Sequence, residues 1–579
     1  MIALHDAIDP SVRKELEEYD DVTAGLLSRR GILTREEAGA FLSPSYTEHV
    51  HDPMLMIDMP KAVSRFAEAL NNNERITVWS DYDCDGIPGG VLMHAFLKKA
   101  GANFTNYIPH RHLEGYGVNV AGVETLAQEG TTLIITVDSG ITDVEAVARA
   151  QELGMDVIVT DHHLPQETLP PAFAILNPNA RSEETYPYKS LCGSGVAWKL
   201  VCGVLAHGFI GREAIPAGYE KWLLDMVGLA TIADMVPLTG ENRVLAKYGL
   251  LVMRKSPRLG FQKLCKVARV NQRFITEDDV GFMIAPRINA ASRMGNPRDA
   301  FTLLTTSDEI EADELAKLLE STNRSRRAAA GSITKAVHAR LERLKEEGNE
   351  IPSVIAMGDP EWRPGLLGLV ANGIADEYGR PVFLWGREGN ESLKGSCRGG
   401  PENINVSELM QAAHTDTFLG FGGHAAAGGF SVAPEAVFEL QARLMEARTK
   451  LPVPDDRELV QADTVLSTSE VTLEVLKRFD LLAPFGMGNP KPTIALTQVY
   501  IERVSWFGKV SEHLRLHVRR GTEDSREVPL EAIAFFAKRD LGSALSLCSV
   551  GATVSLLAYA ERDQFARGQP VRLRLLKII

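Results

Sequence analysis

Short apolar runs alternate with amphipathic stretches between about residues 75 and 180. The apolar runs have strand length and are rich in valine, isoleucine and threonine, as is typical of β-strands. The stretches between them, such as residues 143–154, carry apolar residues at helical spacing. Strands that alternate with helices indicate βαβ units, so this region predicts a parallel sheet covered by helices. Residues 1 to about 50 and 190–255 are predicted to be mainly helical.

The second half of the chain changes pattern twice. A charged stretch at about 308–347 has opposite charges four residues apart, which predicts a solvated helix that connects two domains. A second strand–helix–strand unit follows this helix. From about residue 460 to residue 579, short alternating strands with little helix predict a small β-barrel, such as an OB-fold.

Composition narrows the class of protein without identifying it. The 579 residues suggest about three to five domains. With 45% apolar and 24% charged residues, the chain is typical of soluble globular proteins. The net charge of -14 excludes a uniformly basic coat for nucleic acid but leaves room for a local basic channel. Six cysteines without a C-x-x-C pair, together with the lack of a bilayer-length apolar run, favour a reduced, cytoplasmic protein.

Acidic and histidine residues directly follow three of the predicted strands. They are Asp81, Asp83, Asp85, Asp138, Asp161, His162 and His163. Because ligands of open α/β sheets bind at the carboxyl ends of strands, we expect these side chains to converge. The spacing of the first three predicts an extended backbone with all three acids on one side. A further acid, Asp234, lies in an apolar segment, where a bare carboxylate is costly.

Two structural explanations compete with a catalytic metal site. A single Asp after a strand is usually a helix N-cap or a turn residue, but that does not explain the whole set. Residues 81–86 also match the start of an EF-hand loop, yet Leu92 stands where the bidentate Glu is required. Mixed carboxylate and imidazole ligands suit Mn²⁺ or Mg²⁺. Two such ions about 3.5–4 Å apart would clamp an in-line attack on phosphorus.

Four ordered motifs resemble those of the DHH phosphoesterase superfamily, and most closely its RecJ branch of single-strand-specific exonucleases. The motifs are Asp81-Tyr82-Asp83-Cys84-Asp85-Gly86, Val137-Asp138-Ser139-Gly140, Asp161-His162-His163 and Ala233-Asp234. Further segments that resemble this branch are 108–117, 285–294, 422–428 and 485–490. The resemblance implies two α/β domains joined by a long helix and a C-terminal OB-fold. The predicted ranges are 1–50 for a helical segment, 51–305 for DHH, 306–350 for the connecting helix, 351–452 for DHHA1 and 453–579 for the OB-fold.

The same resemblance implies roles for individual residues. The implied metal ligands are Asp83, Asp85, Asp138, His162 and Asp234, with Asp81 as an extra ligand or a supporting acid. Asp161 would orient the histidines, and His163 would act beside the scissile phosphate. The implied nucleic-acid contacts are Arg111, Tyr116, Asn289, Arg293, Ser396, Arg398, His424, Arg515 and Arg519, with Ser396 and Arg398 facing the metals across a cleft. For Arg398 a structural salt bridge remains the alternative, for His424 tight strand packing, and for Arg515 and Arg519 an ordinary polar strand face.

The resemblance also implies a function. We expect a Mn²⁺- or Mg²⁺-dependent exonuclease that degrades single-stranded DNA from the 5′ end to mononucleotides, in DNA repair and recombination. The alternatives are a phosphodiesterase of short oligonucleotides or cyclic dinucleotides, and a non-catalytic DNA-binding scaffold. Expected partners are single-stranded DNA, a single-strand-binding protein and a helicase; we expect a monomer and no membrane contact. Trp79, Ser292 and Arg363 depart from the pattern. Some sequences of this branch have a His at the position of Trp79, and its absence implies that one ion is held more weakly.

Overall fold

The chain folds into two compact units in a computed structural model. The residues that the structure describes are 3–4, 7–111, 113–387, 393–400, 404–413, 416–452, 461–521, 528–563 and 570–579. The large unit comprises residues 2–322, 461–534 and 546–579, and the small unit comprises residues 323–460 and 535–545. Both are therefore assembled from segments that are distant in sequence.

The large unit begins with a short strand and five helices. Their bounds are β1 Ala3–Leu4, α1 Pro10–Glu15, α2 Asp21–Arg29, α3 Arg35–Leu42, α4 Tyr46–His49 and α5 Met59–Asn71. Side chains fix the start of several of these helices. Thr34, for example, forms a capping box with Glu37 at the start of α3, which satisfies backbone N–H groups that the helix itself cannot pair.

A five-stranded parallel sheet forms the centre of the N-terminal part of the large unit. Its strands and the helices between them are β2 Ile76–Ser80, α6 Gly86–Ala100, β3 Phe104–Tyr107, α7 Val120–Gln128, β4 Leu133–Val137, α8 Val144–Glu152, β5 Asp156–Thr160 and β6 Ala174–Leu176. The strand order is β3-β2-β4-β5-β6. Since the chain leaves β2 for one neighbour and returns on its other side as β4, the sheet has a topological switch point between β2 and β4. Ligands of such sheets bind at this point.

Helices complete this part of the large unit, as predicted for residues 190–255. They are α9 Gly193–His207, α10 Tyr219–Trp222, α11 Leu224–Ala233, α12 Gly240–Met253, α13 Leu259–Ala268, α14 Ala285–Met294, α15 Pro297–Thr305 and α16 Glu309–Glu346. The core is continuous from the sheet to these helices, and Phe96, Trp198 and Phe261 in it are fully buried. The boundary between the two units falls within the 38-residue α16.

The small unit contains a second five-stranded sheet. Its elements are β7 Ile355–Gly358, α17 Pro364–Tyr378, β8 Val382–Gly386, β9 Leu393–Arg398, α18 Val406–Ala412, β10 Phe418–Gly423, β11 Ala427–Val432 and α19 Leu440–Thr449. The order is β10-β11-β9-β8-β7. Only β7 and β8 pair in parallel, while the other pairs are antiparallel.

The C-terminal region forms a closed barrel. The elements of this region in the large unit are β12 Gln461–Ala462, β13 Thr464–Val465, α20 Leu473–Asp480, β14 Thr493–Phe507, β15 His513–Arg520, β16 Leu530–Ala534, β17 Thr553–Arg562 and β18 Val571–Ile578. Between β16 and β17, α21 Ala537–Asp540 belongs to the small unit. Five strands follow one another in the order β14-β15-β16-β18-β17, and β17 pairs again with β14. This pairing leaves no free edge among the five strands, as in an OB-fold.

The segment that leads into the barrel packs against the loop after α11 and against α12, in the same unit. The N–H of Leu238 donates to the carbonyl of Met487 at 2.7 Å. The guanidinium of Arg243, which is buried, donates to the carbonyls of Ala483 at 3.0 Å and of Phe41 at 2.7 Å. The loop after Asp234 is therefore supported by residues that lie about 250 positions later in the chain.

The predicted fold class is confirmed: a parallel α/β domain and a second α/β unit are connected by a long helix, and a β-barrel of OB type follows. The individual domain boundaries stay predictions, and the one after residue 452 adjoins residues 453–460, which lie outside the described residues. No described helix combines the length and apolar character that a membrane span requires.

We predict that Gly260→Ala destabilises the large unit. A Cβ on Gly260, in α13, would lie 1.6 Å from the carbonyl oxygen of Leu303 in α15. Because the clash is with backbone, relief requires one helix to shift, at a cost of about 1–3 kcal/mol in the free energy of unfolding. Urea unfolding followed by circular dichroism measures the effect. Gly39→Ala is the control, since a Cβ there meets open space within α3 and should stabilise by up to about 1 kcal/mol. Equal unfolding midpoints for the two variants would contradict the packing described.

Candidate metal and nucleic-acid site

The loop after β2 is a tight turn that is held by its own acid. The carboxylate Oδ1 of Asp83 accepts hydrogen bonds from the N–H of Asp85 at 2.7 Å and of Gly86 at 3.2 Å. The expected extended backbone for residues 81–85 is therefore wrong, because the side chain of Asp83 caps the turn into α6. As a result Asp81 and Asp83 join one group of ligand atoms, and Asp85 joins another.

Asp85 is held by the N-terminus of α9. Its Oδ2 accepts the N–H of Gly193 at 2.6 Å, and its Oδ1 accepts the N–H of Ser194 at 2.7 Å. The hydroxyl of Ser194 also donates to the carbonyl of Asp85 at 2.6 Å. The positive end of the helix dipole thus faces a buried carboxylate, which it stabilises. The sequence analysis missed Gly193 and Ser194; the only signal was a Gly-Ser-Gly run before an apolar helical stretch.

Asp138 follows β4 in an unusual backbone conformation. Its φ is 61°, in the left-handed region, and its N–H donates to the carbonyl of Thr160 at 2.9 Å. The side chain is buried and lies directly against α9, because a Cβ on Gly193 would be 2.5 Å from the Cβ of Asp138. Strained residues of this kind are found where the surrounding structure fixes them for function. A glycine at position 193 is therefore required for Asp138 to reach its place.

Asp161 organises the histidine pair. Its Oδ1 accepts the N–H groups of His162 at 2.7 Å and His163 at 3.1 Å, and lies 2.8 Å from Nδ1 of His163. The Nε2 of His162 lies 3.2 Å from Oδ1 of Asp138 and 3.7 Å from both Oδ2 of Asp85 and Oδ2 of Asp234. Asp234 comes from the C-terminus of α11. Four separate segments thus bring their side chains to one place.

Three overlapping groups of side chains can hold metal ions. In each group the ligand atoms lie within 4.8 Å of one another. The groups are Asp81, Asp83 and Asp138; Asp85, His162 and Asp234; and Asp138, His162 and His163. Within the described chain, buried Oδ1 atoms of Asp81 and Asp138 and Nε2 of His162 have no hydrogen-bond partner. Buried polar atoms are rarely left unpaired, so these residues fit Mn²⁺ or Mg²⁺, and the shared residues fit a two-ion site.

Burial and mutual repulsion shift the pKa values of these groups. Burial, and after it the nearby charges of Asp85, Asp83, Asp81 and Asp234, raises the pKa of Asp138 well above its usual range. Burial and the charge of Asp85 raise the pKa of Asp234 to about 9. Burial alone would lower the pKa of His163, but the hydrogen bond and charge of Asp161 raise it to about 9. A cluster of this kind is stable as carboxylates only when cations neutralise it.

Tyr116 and Arg111 lie at the edge of the acid cluster. The hydroxyl of Tyr116 donates to the carbonyl of Asp138 at 3.0 Å and lies 3.2 Å from Nδ1 of His163. The guanidinium of Arg111 lies 5.0 Å from the ring centre of Tyr82, and both Arg111 and Arg293 act electrostatically on the Tyr82 hydroxyl. These predicted nucleic-acid contacts are thus close to the candidate ligands.

Asn289 has a structural contact that the sequence did not reveal. Its Oδ1 accepts the N–H of Cys84 at 2.9 Å, so it supports the turn that carries Asp83 and Asp85. Trp79 likewise has a packing role: its indole N–H donates to the carbonyl of Gly117 at 3.2 Å, and its ring stacks on Tyr107.

In the small unit, Arg398 lies on β9 with a partly buried guanidinium. One terminal nitrogen donates to the carbonyl of Cys397 at 2.7 Å, and the group lies against Gly368 of α17. Among the residues that the structure describes, no carboxylate pairs with Arg398. Ser396 stands two residues earlier on the same strand, and His424 lies in the turn between β10 and β11, where its N–H donates to the carbonyl of Ala427.

The barrel arginines are paired with acids. The Nε of Arg515 lies 3.3 Å from Oε2 of Glu531, and that of Arg519 lies 3.7 Å from Oε2 of Glu502. Each guanidinium also lies over an aromatic ring, that of Phe507 or Tyr500. Glu531 on β16 and Glu502 on β14 therefore partly compensate the positive charge of these arginines. Their role in binding a nucleic acid stays a prediction.

Known sequence families match three successive parts of the chain. The DHH family, N-terminal domain, matches residues 75–231, the DHHA1 domain matches residues 351–449, and the RecJ OB domain matches residues 462–577. The fold and the acid cluster thus define a DHH-type protein with the two domains expected after it.

Similar proteins narrow this class further. The chain is 35% identical over 511 residues to the Single-stranded-DNA-specific exonuclease RecJ of Bacillus subtilis, which covers 87% of this chain and 63% of that protein. It is 33% identical over 494 residues to the protein of the same name from Escherichia coli, covering 83% of this chain and 85% of that one. The crystal structure of Thermus thermophilus RecJ with Mn²⁺ matches with a TM-score of 0.80 and 26% identity, over 99% of this chain and 78% of that one. The chain belongs to the RecJ family.

We predict that Gly193→Ala weakens metal binding. The added methyl group would lie 2.5 Å from the Cβ of Asp138 and 2.6 Å from its Oδ1, so Asp138 or the start of α9 must move. Loss of such outer support typically reduces metal affinity about 10–100-fold. Isothermal titration with Mn²⁺ measures the change.

Gly195→Ala is the matched control for this substitution. It lies in the same helix turn, and its nearest neighbour would be 3.6 Å away, an ordinary contact. We expect it to leave Mn²⁺ affinity unchanged. If both variants bind Mn²⁺ as tightly as the wild type, the close approach of α9 does not position Asp138.

We predict that Asp138→Asn raises the melting temperature of the metal-free protein and reduces the further increase that Mn²⁺ causes. Removing one charge from the repelling cluster should raise the metal-free melting temperature. The increase in melting temperature that Mn²⁺ causes should shrink, because that increase depends on metal affinity. Asp143→Asn is the control, since Asp143 is a half-buried acid that accepts the N–H of Val118 at 2.7 Å instead of joining a ligand group. A full Mn²⁺-induced increase in Asp138→Asn would exclude Asp138 as a ligand.

Proposed function

We propose that the protein is a Mn²⁺- or Mg²⁺-dependent exonuclease that degrades single-stranded DNA from its 5′ end to mononucleotides. One observation carries this proposal: three overlapping groups of carboxylate and imidazole ligands meet at the switch point of the parallel sheet. The named activity of the relatives is single-stranded-DNA-specific exonuclease. The chain spans 63% of the length of the Bacillus subtilis relative. The activity is therefore proposed for this chain on the basis of its own ligand groups.

The protein residues have distinct tasks in this proposal. When bound, the metal ions supply Lewis acidity at the phosphate and an acidified water as nucleophile. Asp161 fixes the ring of His163 through Nδ1, which leaves the other ring nitrogen for the scissile phosphate. Asp161 raises the pKa of His163 to about 9 in the metal-free site, against the effect of burial, which favours the protonated ring. It can therefore stabilise negative charge or donate that proton to the leaving oxygen.

The barrel favours a long substrate over the alternatives. A phosphodiesterase of short oligonucleotides or cyclic dinucleotides needs no separate single-strand-binding domain, whereas a closed barrel of OB type is a common surface for a single strand. A non-catalytic scaffold would not need the unpaired ligand atoms of Asp138 and His162. Repair and recombination, a single-strand-binding protein and a helicase as partners, and a monomeric state remain proposals that rest on the resemblance. A cytoplasmic location remains a proposal that rests on the cysteine content and the lack of a bilayer-length apolar run.

One experiment distinguishes these functions. Purified protein is incubated with Mn²⁺ and with single-stranded DNA, duplex DNA or RNA that carries a label at one end. Release of labelled mononucleotides from the 5′ end of single-stranded DNA alone is the expected result. Cleavage restricted to dinucleotides or cyclic dinucleotides would replace the proposal with the phosphodiesterase, and binding without cleavage at saturating Mn²⁺ would replace it with the scaffold.

We predict that Arg398→Ala raises KM with little change in melting temperature. A half-buried guanidinium without a carboxylate partner in the described chain is suited to bind phosphate. Loss of one charge-assisted contact costs about 1.5–3 kcal/mol, a factor of roughly ten to a hundred and fifty in affinity. Arg398→Lys should recover part of this, and Mn²⁺ affinity should stay unchanged.

Arg443→Ala is the matched control in the same unit. Arg443 lies 2.5 Å from Asp416 and 2.7 Å from Glu439, so its loss should affect stability and leave KM unchanged. If Arg398→Ala instead lowers the melting temperature and keeps the wild-type KM, Arg398 is structural.

A further inference from the structure

A cavity of the large unit lies at the far end of α6 from the acids. The helix has 15 residues and is therefore about 22 Å long, with Gly86 next to the acid-bearing turn. The cavity at the other end of α6 has a volume of about 340 Å³. The polar residues that line it are His94, Lys98, Lys99, Tyr219, Arg258 and Thr305. This cavity is thus separate from the metal ligands.

The cavity is lined by positive charge. Lys98 and Lys99 are exposed, and neither has an ion-pair partner in the part of the chain that the structure describes. Arg258 donates from Nε to Oδ2 of Asp225 at 2.8 Å. Its two terminal nitrogens make no hydrogen bond to any described residue. The lining itself contains no carboxylate, so one partly compensated and two uncompensated cations face the same space.

A structural explanation accounts for only part of this arrangement. Lysines in the last turn of a helix interact favourably with its negative end, and Lys98 and Lys99 occupy that turn of α6. Arg258, however, precedes α13 and comes from a different part of the chain. Burial, Lys98 and Arg258 all lower the pKa of His94, which indicates that cations from both segments converge there.

We propose that this cavity binds a phosphate group. Convergent cations from two segments provide the charge, and the guanidinium nitrogens of Arg258 that remain unpaired provide directed donors. A volume of about 340 Å³ is at the lower end of the range for small-molecule sites. It therefore accommodates a phosphate that carries a small group, either a free nucleoside 5′-monophosphate or one phosphodiester of a strand. The site is independent of the proposed nuclease activity.

The test measures binding of inorganic phosphate without divalent ions. In EDTA the acid cluster carries no cation and repels anions, so it does not contribute. Line broadening of the ³¹P signal of phosphate is recorded with the wild type, Lys98→Glu, Lys99→Glu and Lys335→Glu. Lys335 is the control, because it is an exposed lysine of α16 in the small unit. We expect affinity to fall about tenfold or more in the first two variants and to stay unchanged in the control.

Competition then identifies the source of the phosphate. A nucleoside 5′-monophosphate that displaces phosphate better than a single strand with hydroxyl ends indicates a free nucleotide, and the reverse order indicates a strand. Circular dichroism confirms that each variant is folded; both lysines are exposed, so a second variant remains if one fails. Absence of broadening by the wild type, or equal broadening by the wild type and both cavity variants, would overturn the proposal.

Discussion

Repulsion among buried carboxylates is the constraint around which the large unit is built. Asp81, Asp85 and Asp138 are each almost completely buried, and the side chains of Asp83 and Asp234 lie within ligand distance of this group. Such a cluster is unfavourable by itself. The fold opposes the repulsion with fixed dipoles. Two N–H groups of α9 donate to Asp85, and the backbone N–H groups of Ile141 and His162 donate to Asp161.

The parallel sheet makes this convergence possible over long distances in sequence. Because the carboxyl ends of all the strands lie at one edge of the sheet, residues that follow β2, β4 and β5 become neighbours. Asp234 reaches the same place from the end of a helix that packs beside α6 and α9. Contacts with the acids also orient the residues around them. Asp161 holds the ring of His163, and Tyr116 contacts both His163 and the backbone of Asp138.

The sequence predicted the convergence of the acids, which depends on the order of the strands. It did not predict contacts that depend on strand register or on backbone N–H groups. The acids were predictable because each directly follows an apolar run. Gly193 and Ser194 were not, since the groups that hold Asp85 are backbone N–H groups, which any residue carries. The pairing of Arg515 with Glu531 depends on the register of two barrel strands. The turn at Asp83 required knowing that its side chain bonds the backbone two residues ahead instead of pointing away from a strand.

The support of the Asp234 loop by the segment around Met487 has a consequence for biosynthesis. A ribosome that adds about 5–20 residues per second needs roughly 13–50 seconds to pass from the loop to that segment. During this interval the strands and acids of the DHH-type region can form, but the carbonyl that pairs with Leu238 has not been synthesised. The Asp234 loop can therefore reach its final arrangement only after the ribosome has passed residue 487, about 250 residues after the loop itself has been synthesised.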